Sequence, residues 1–190
     1  TKVGALNVQG PFGHYPLAGV LDVPVTASII NPPQNIPNLV TTTSVTRNIS
    51  IIVPPIYEAN IVDKGPFDVP LGEMTSVPLL LENTGNEVTS YRLSVIDDLP
   101  DGWVTSINTL TGNSDVIADL SPDVSDAPEE GNSHLRDFNL EVTTDPFADA
   151  YSIQDVNIKV EDSSTGLLIN IIPVSIRVGP YVNASLSPTN

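Results

Sequence analysis

The sequence predicts an all-β protein built as two sheets packed face to face, and three observations carry that expectation. Apolar and polar residues alternate with a period of two along several separate runs. No long segment carries the 3.6-residue period of an amphipathic helix. Proline and glycine, 18 and 12 among 190 residues, punctuate the runs. Proline at that density breaks helices and suits strand edges and turns.

The runs can be taken in order. Val77, Leu79 and Leu81 share one face of a predicted strand, and Tyr91, Leu93 and Val95 share one face of the next. Phe138, Leu140 and Val142 alternate with Asn139, Glu141 and Thr143, and Val156, Ile158 and Val160 alternate with Asn157 and Lys159. Ile172, Val174, Ile176 and Val178 alternate with Pro173, Ser175 and Arg177. Successive strand side chains point to opposite faces, so each run has one dry and one wet side. Several such strands joined by turns imply a sandwich. Asn83-Thr84-Gly85-Asn86 and Ser163-Ser164-Thr165-Gly166 read as turns that use Asn or Gly at positive φ, and Leu99-Pro100-Asp101-Gly102 as a turn before Trp103. Trp103 is expected to fill the core between the sheets beside Leu93 and Phe138, because a buried indole contributes large apolar area.

An internal repeat sets the domain organisation. Residues 48–61 align without gaps on residues 173–186, with Ser50/Ser175, Ile51/Ile176, Val53/Val178, Pro55/Pro180 and Ala59/Ala184 identical. Residues 1–55 then read as the C-terminal half of one domain or a strand-exchanged segment. Residues 56–178 read as a complete domain, and residues 179–190 as the first strand of a following domain or a donor strand. Three strands cannot bury both faces of a sandwich alone, so the first half-domain needs strands from elsewhere. Residues 4–9 and 181–187 are the strands expected to supply exchange. The chain starts at Thr1 with no basic-then-apolar leader, which reads as a processed or excised start.

Composition narrows the classes of partner. The net charge is −16, from 23 acidic and 7 basic residues. Such a surface repels nucleic acid and anionic lipid. No apolar run has the length of a membrane span, so this segment is not expected to insert in a membrane. There is no cysteine, which excludes disulfides, thiolate metal sites and cysteine nucleophiles.

At residues 69–86, from Val69-Pro-Leu-Gly through Leu-Glu-Asn-Thr-Gly-Asn86, the chain resembles the NEW3/CARDB-like group of prokaryotic immunoglobulin-like domains. The likeness continues at Leu99-Pro-Asp-Gly-Trp103 and at residues 138–151, and it spans roughly residues 56–178. It implies an immunoglobulin-like β-sandwich of a secreted or cell-surface protein and carries over no catalytic residue. The chain departs from the pattern by an acidic insertion at residues 112–133.

The chemistry-bearing candidates are few. Asp115, Asp119, Asp123 and Asp126 in the insertion offer hard oxygens of the kind Ca²⁺ takes, without EF-hand spacing, and calcium is the one cofactor the composition suggests. His14 and His134 stand in no metal-binding spacing and read as surface residues. Asn48-Ile-Ser50 and Asn183-Ala-Ser185 are N-glycosylation sequons. No phosphate loop or nucleophile motif occurs, so no enzyme is expected. The reading is a non-catalytic structural repeat of an extracellular surface layer, stalk or filament. It assembles with copies of itself or with neighbouring domains, by strand pairing or tandem stacking. The alternative is an accessory module, carbohydrate-binding or spacer, of a secreted enzyme.

Overall fold

The computed structural model describes residues 16–28, 44–96, 98–112, 115–123 and 134–180. All regular elements among them are strands. A ribbon of β1 (Gly19–Ser28) and β2 (Ser44–Val53) precedes the sandwich. The sandwich is built from β3 (Ala59–Ile61), β4 (Phe67–Val69), β5 (Met74–Asn83), β6 (Thr89–Val95), β7 (Val104–Asn108), β8 (Val116–Leu120), β9 (Leu135–Thr143), β10 (Ile153–Asp162) and β11 (Leu168–Val178). One sheet has the order β3-β5-β9-β7 and the other β4-β11-β10-β6-β8. Every pairing is antiparallel except β4 with β11. This is an immunoglobulin-like β-sandwich.

The core forms where the period-two runs place it. Val77, Leu79, Leu81, Phe138, Leu140 and Val142 line the inner face of one sheet. Tyr91, Leu93, Val156, Ile158, Val160, Ile172, Val174 and Ile176 line the other. Alternate residues of these strands are half-buried or exposed, as a one-sided sheet requires. Tyr91 and Phe138 are the largest wholly buried side chains. Leu93 is buried with them, whereas Trp103 is half-buried and packs against the core from its edge. The expected Trp103 position is therefore displaced outward. Gly102, at φ 81, and the bond from Trp103 N–H to the Pro100 carbonyl turn the chain immediately before the indole.

Two pairing details differ from the sequence expectation. The acidic insertion contains β8, which pairs with β6 and buries Ile117 and Leu120. These two residues are three apart, and a register irregularity between Thr89 and Tyr91 lets both face inward, so no strict alternation marks the strand. At Asn83-Thr84-Gly85-Asn86, no residue takes up positive φ. Gly85 is needed for close approach instead, since a Cβ there would lie 2.3 Å from the Ile56 carbonyl oxygen.

The Ser163–Gly166 turn behaves as expected, with Gly166 at φ 71. The Asp162 carboxylate accepts from the Ser164 and Thr165 hydroxyls at 2.6 and 2.7 Å and from both of their backbone N–H groups. These hydroxyl and backbone donors favour the charged form and pull its pKa down to about 2.

Between the sheets, the Tyr91 hydroxyl donates to the Glu58 carbonyl at 3.0 Å and Asn170 Nδ2 donates to the Ala59 carbonyl at 3.0 Å. Burial pushes the Tyr91 phenol pKa well above its ordinary value, so it stays a donor.

Candidate functional site

The ribbon leaves several large apolar side chains exposed. Register pairs Leu21 with Ile51, Val23 with Ile49, Val25 with Arg47 and Ala27 with Val45, so these residues share one face. The opposite face carries Asp22, Pro24, Thr26, Thr46, Asn48 and Ser50, with Val20 and Ile52 at its base. On the apolar face Leu21 is 49% exposed, Val45 48% and Ile49 43%. Arg47 is the charged residue on that face.

The ribbon repeats the hairpin β10–β11. Shifted by the offset that matches Ser50 to Ser175, β2 falls on β11. The register pairs Asp22 with Ser50 and Asp155 with Ser175. In each case the serine hydroxyl donates to the aspartate, at 2.5 and 2.6 Å. In this frame Val23, Val25, Ile49, Ile51 and Val53 correspond to Val156, Ile158, Val174, Ile176 and Val178. The latter five are wholly buried in the sandwich.

Asn86 fixes the ribbon to the sandwich. Its side-chain oxygen accepts from Ile56 N–H at 2.6 Å, and its Nδ2 donates to the Pro16 and Pro54 carbonyls at 2.9 and 3.1 Å. Its backbone carbonyl accepts from Ala18 N–H at 3.0 Å. One buried amide thus holds the chain before β1 and after β2 at the β5–β6 turn. Asn83, also buried, donates from Nδ2 to the Glu87 and Leu120 carbonyls and accepts from Gly85 N–H. The sequence marked both asparagines as turn formers. Their role in joining separate elements depends on strand neighbours far away in the chain.

Among the described residues, the carboxylates proposed for calcium, Asp115, Asp119 and Asp123, are not gathered into one group. Asp115 faces Arg92 at 3.6 Å, and Asp119 exchanges hydrogen bonds with Ser90. Four steps along an extended chain separate these two by roughly 13 Å, which is the physical reason they diverge. Asp123 instead lies with Glu82 and His134. His134, expected at the surface, is half-buried. Asp126 and His14 lie outside the described residues, as do Asn183 and the strands expected at 4–9 and 181–187. Asn48 is exposed on the polar face of the ribbon, accessible in the way a used sequon requires.

Trp103 borders two open clefts. Pro100 and Asp101 line both, and Asp145, Asp149 and Gln154 line the second.

No family model and no curated protein matches the chain. Among solved structures, domains 4 and 5 of the S-layer protein SbsC are similar at 14% identity and a TM-score of 0.37, over 72% of this chain and 59% of that one. The SrpA adhesin of Streptococcus sanguinis is similar at 12% identity and a TM-score of 0.37, over 65% of this chain and 58% of that one. The sialic acid binding region of the Streptococcus sanguinis SK1 adhesin is similar at 14% identity and a TM-score of 0.39, over 70% of this chain and 32% of that one. The chain therefore spans less than two thirds of each of these. Likenesses at this level do not extend to function. No described helix is long and apolar enough to cross a membrane.

Proposed function

We propose that the chain is a non-catalytic structural module of an extracellular or cell-surface layer, stalk or filament. One observation supports this reading: the ribbon reproduces β10–β11 in register and in its Ser–Asp cross-strand bond, yet the face that β10–β11 buries wholly is here half-buried at Val23, Val25, Ile51 and Val53 and exposed at Ile49. The partner of that face is a sheet with the chemistry of β3-β5-β9-β7, contributed by another immunoglobulin-like unit of the same assembly. Burial of aliphatic area at about 25 cal/mol per Å² drives the association. The Asn86 anchor gives the ribbon a fixed direction relative to the sandwich, which a repeating assembly needs. The motif resemblance to NEW3/CARDB-like domains agrees with this role.

Hydrogen exchange and imaging of the native material test it. The expected result is an elongated assembly with protected amides in β1 and β2, lost on Ile49→Asp. A compact monomer, or an assembly indifferent to Ile49→Asp, overturns it.

Trp103 favours a second reading, an accessory carbohydrate-binding module. Its half-buried indole stands between clefts that carry Asp101 and Asp145, the pairing of stacking surface and hydrogen-bond acceptors that sugars use. A glycan array distinguishes the two: retained sugar binding that disappears in Trp103→Ala supports the module.

A further inference from the structure

We infer that Glu82, Asp123 and His134 form a binding site for a divalent transition-metal ion at one end of the sandwich. The carboxylate oxygens of Glu82 and Asp123 and a ring nitrogen of His134 all lie within 4.8 Å of one another. All three residues are half-buried. A Zn²⁺ ion bound at about 2.0–2.2 Å from each would draw the three ligand atoms together by small side-chain rotations.

The backbone already holds the three residues at one place. Glu82 pairs with Leu135, the neighbour of His134, in the β5–β9 register. Asn83 N–H donates to the His134 carbonyl at 2.9 Å, and Asp123 N–H donates to the Asn83 carbonyl at 3.3 Å. The Asn83 side chain donates to the Leu120 carbonyl at 2.8 Å. Asn83 therefore ties the end of β5, the exit from β8 and the entry to β9 around the three ligands. One ligand on a strand and two on backbone bonded to it leave less chain entropy to be lost on binding.

The donor set selects the class of ion. One imidazole nitrogen with two carboxylates suits Zn²⁺, Co²⁺ or Mn²⁺. Ca²⁺ takes six to eight oxygens and has little use for the imidazole. In a chain of net charge −16, two neighbouring carboxylates gain from a divalent cation, which offsets both charges. Three protein ligands leave further coordination positions for water.

Co²⁺ titration of the chelator-treated 190-residue chain tests the inference. The chain has two histidines, so two sets of imidazole proton resonances report separately. One equivalent of Co²⁺ is expected to give visible d–d absorption, to shift or broaden one imidazole set, and to raise the thermal midpoint. Zn²⁺ should displace it. His134→Gln should abolish these effects, and Glu82→Gln should weaken binding by 10-fold or more. His14→Gln and Asp119→Asn should bind as the parent does. A metal-free thermal midpoint for His134→Gln equal to the parent's separates lost binding from lost folding. Binding that survives His134→Gln, that perturbs neither imidazole, or that is lost in Asp119→Asn overturns the site.

Discussion

Asn86 donates from its side-chain amide to the Pro16 carbonyl at 2.9 Å, across seventy positions of sequence. The same amide reaches Pro54 and Ile56, so a single side chain closes the base of the ribbon. Asn86→Ala orphans a buried N–H and two carbonyls, and the expected loss is about 2–4 kcal/mol, read from urea denaturation. Hydrogen exchange should show β1 and β2 losing protection before the sandwich. Asn86→Asp sets a carboxylate against the carbonyls of Pro16 and Pro54 and should be more damaging at pH 7 than at pH 3, where the acid can donate.

Gly85→Ala tests a different part of the same turn. The added methyl would sit 2.3 Å from the Ile56 carbonyl oxygen and 3.0 Å from Glu58 N, both backbone atoms. A clash with backbone is relieved only by moving the chain that Asn86 binds. The expected loss is about 2–3 kcal/mol, with a lowered urea midpoint and an unchanged slope. Gly112→Ala, where nothing lies within 4 Å of the added atom, should cost less, its φ of 110° being the remaining strain.

Much of this fold was legible in the sequence, and the places where it was not have physical causes. The strands of Leu79, Leu93, Phe138, Ile158 and Ile176 show their inner faces through period-two alternation, because each belongs to a sheet with one wet side. β8 is hidden because a register irregularity in its pairing with β6 breaks the alternation, and β3 and β4 are too short to show one. The Glu82–Asp123–His134 cluster was missed because its members come from one strand and two connections with no fixed spacing. Asn83 and Asn86 carried a readable turn signal, but their partners Leu120, Pro16 and Pro54 follow only from the tertiary arrangement.

Phe138 and Trp103 separate by degree of burial. Phe138 is wholly buried, and Phe138→Ala should cost about 3–5 kcal/mol through lost transfer energy and a residual cavity. Trp103 packs at the core edge, so Trp103→Ala should cost less despite the larger side chain. Parallel urea melts rank the two, and the reverse order would place the indole at the centre of the core.

Asp162 gives the fold an acid-sensitive turn. Its pKa is lowered from the ordinary 3.8 to about 2 by the Ser164 and Thr165 donors. A carboxylate whose folded pKa is depressed stabilises the fold fully above its unfolded pKa, and that contribution fades as pH falls through the folded value. The thermal midpoint should therefore drop between about pH 4 and pH 2. In Asp162→Asn that portion of the slope should vanish, leaving a lower midpoint above about pH 4 and a shallower fall below it.

The parallel pairing of β4 with β11 decides how the sandwich meets a pulling force. Tension that reaches β4 from its N-terminal side and leaves β11 at its C-terminal side drags the two strands lengthwise past each other. The register of Phe67–Val69 on Ile176–Val178, the Gly179 N–H to Val69 carbonyl bond and the Asp68–Arg177 ion pair all lie across that line. They share the load and yield together rather than opening one after another as a zipper would. A short strand of three residues thereby sets the rate at which the domain gives way under mechanical load, a kinetic resistance distinct from its equilibrium stability.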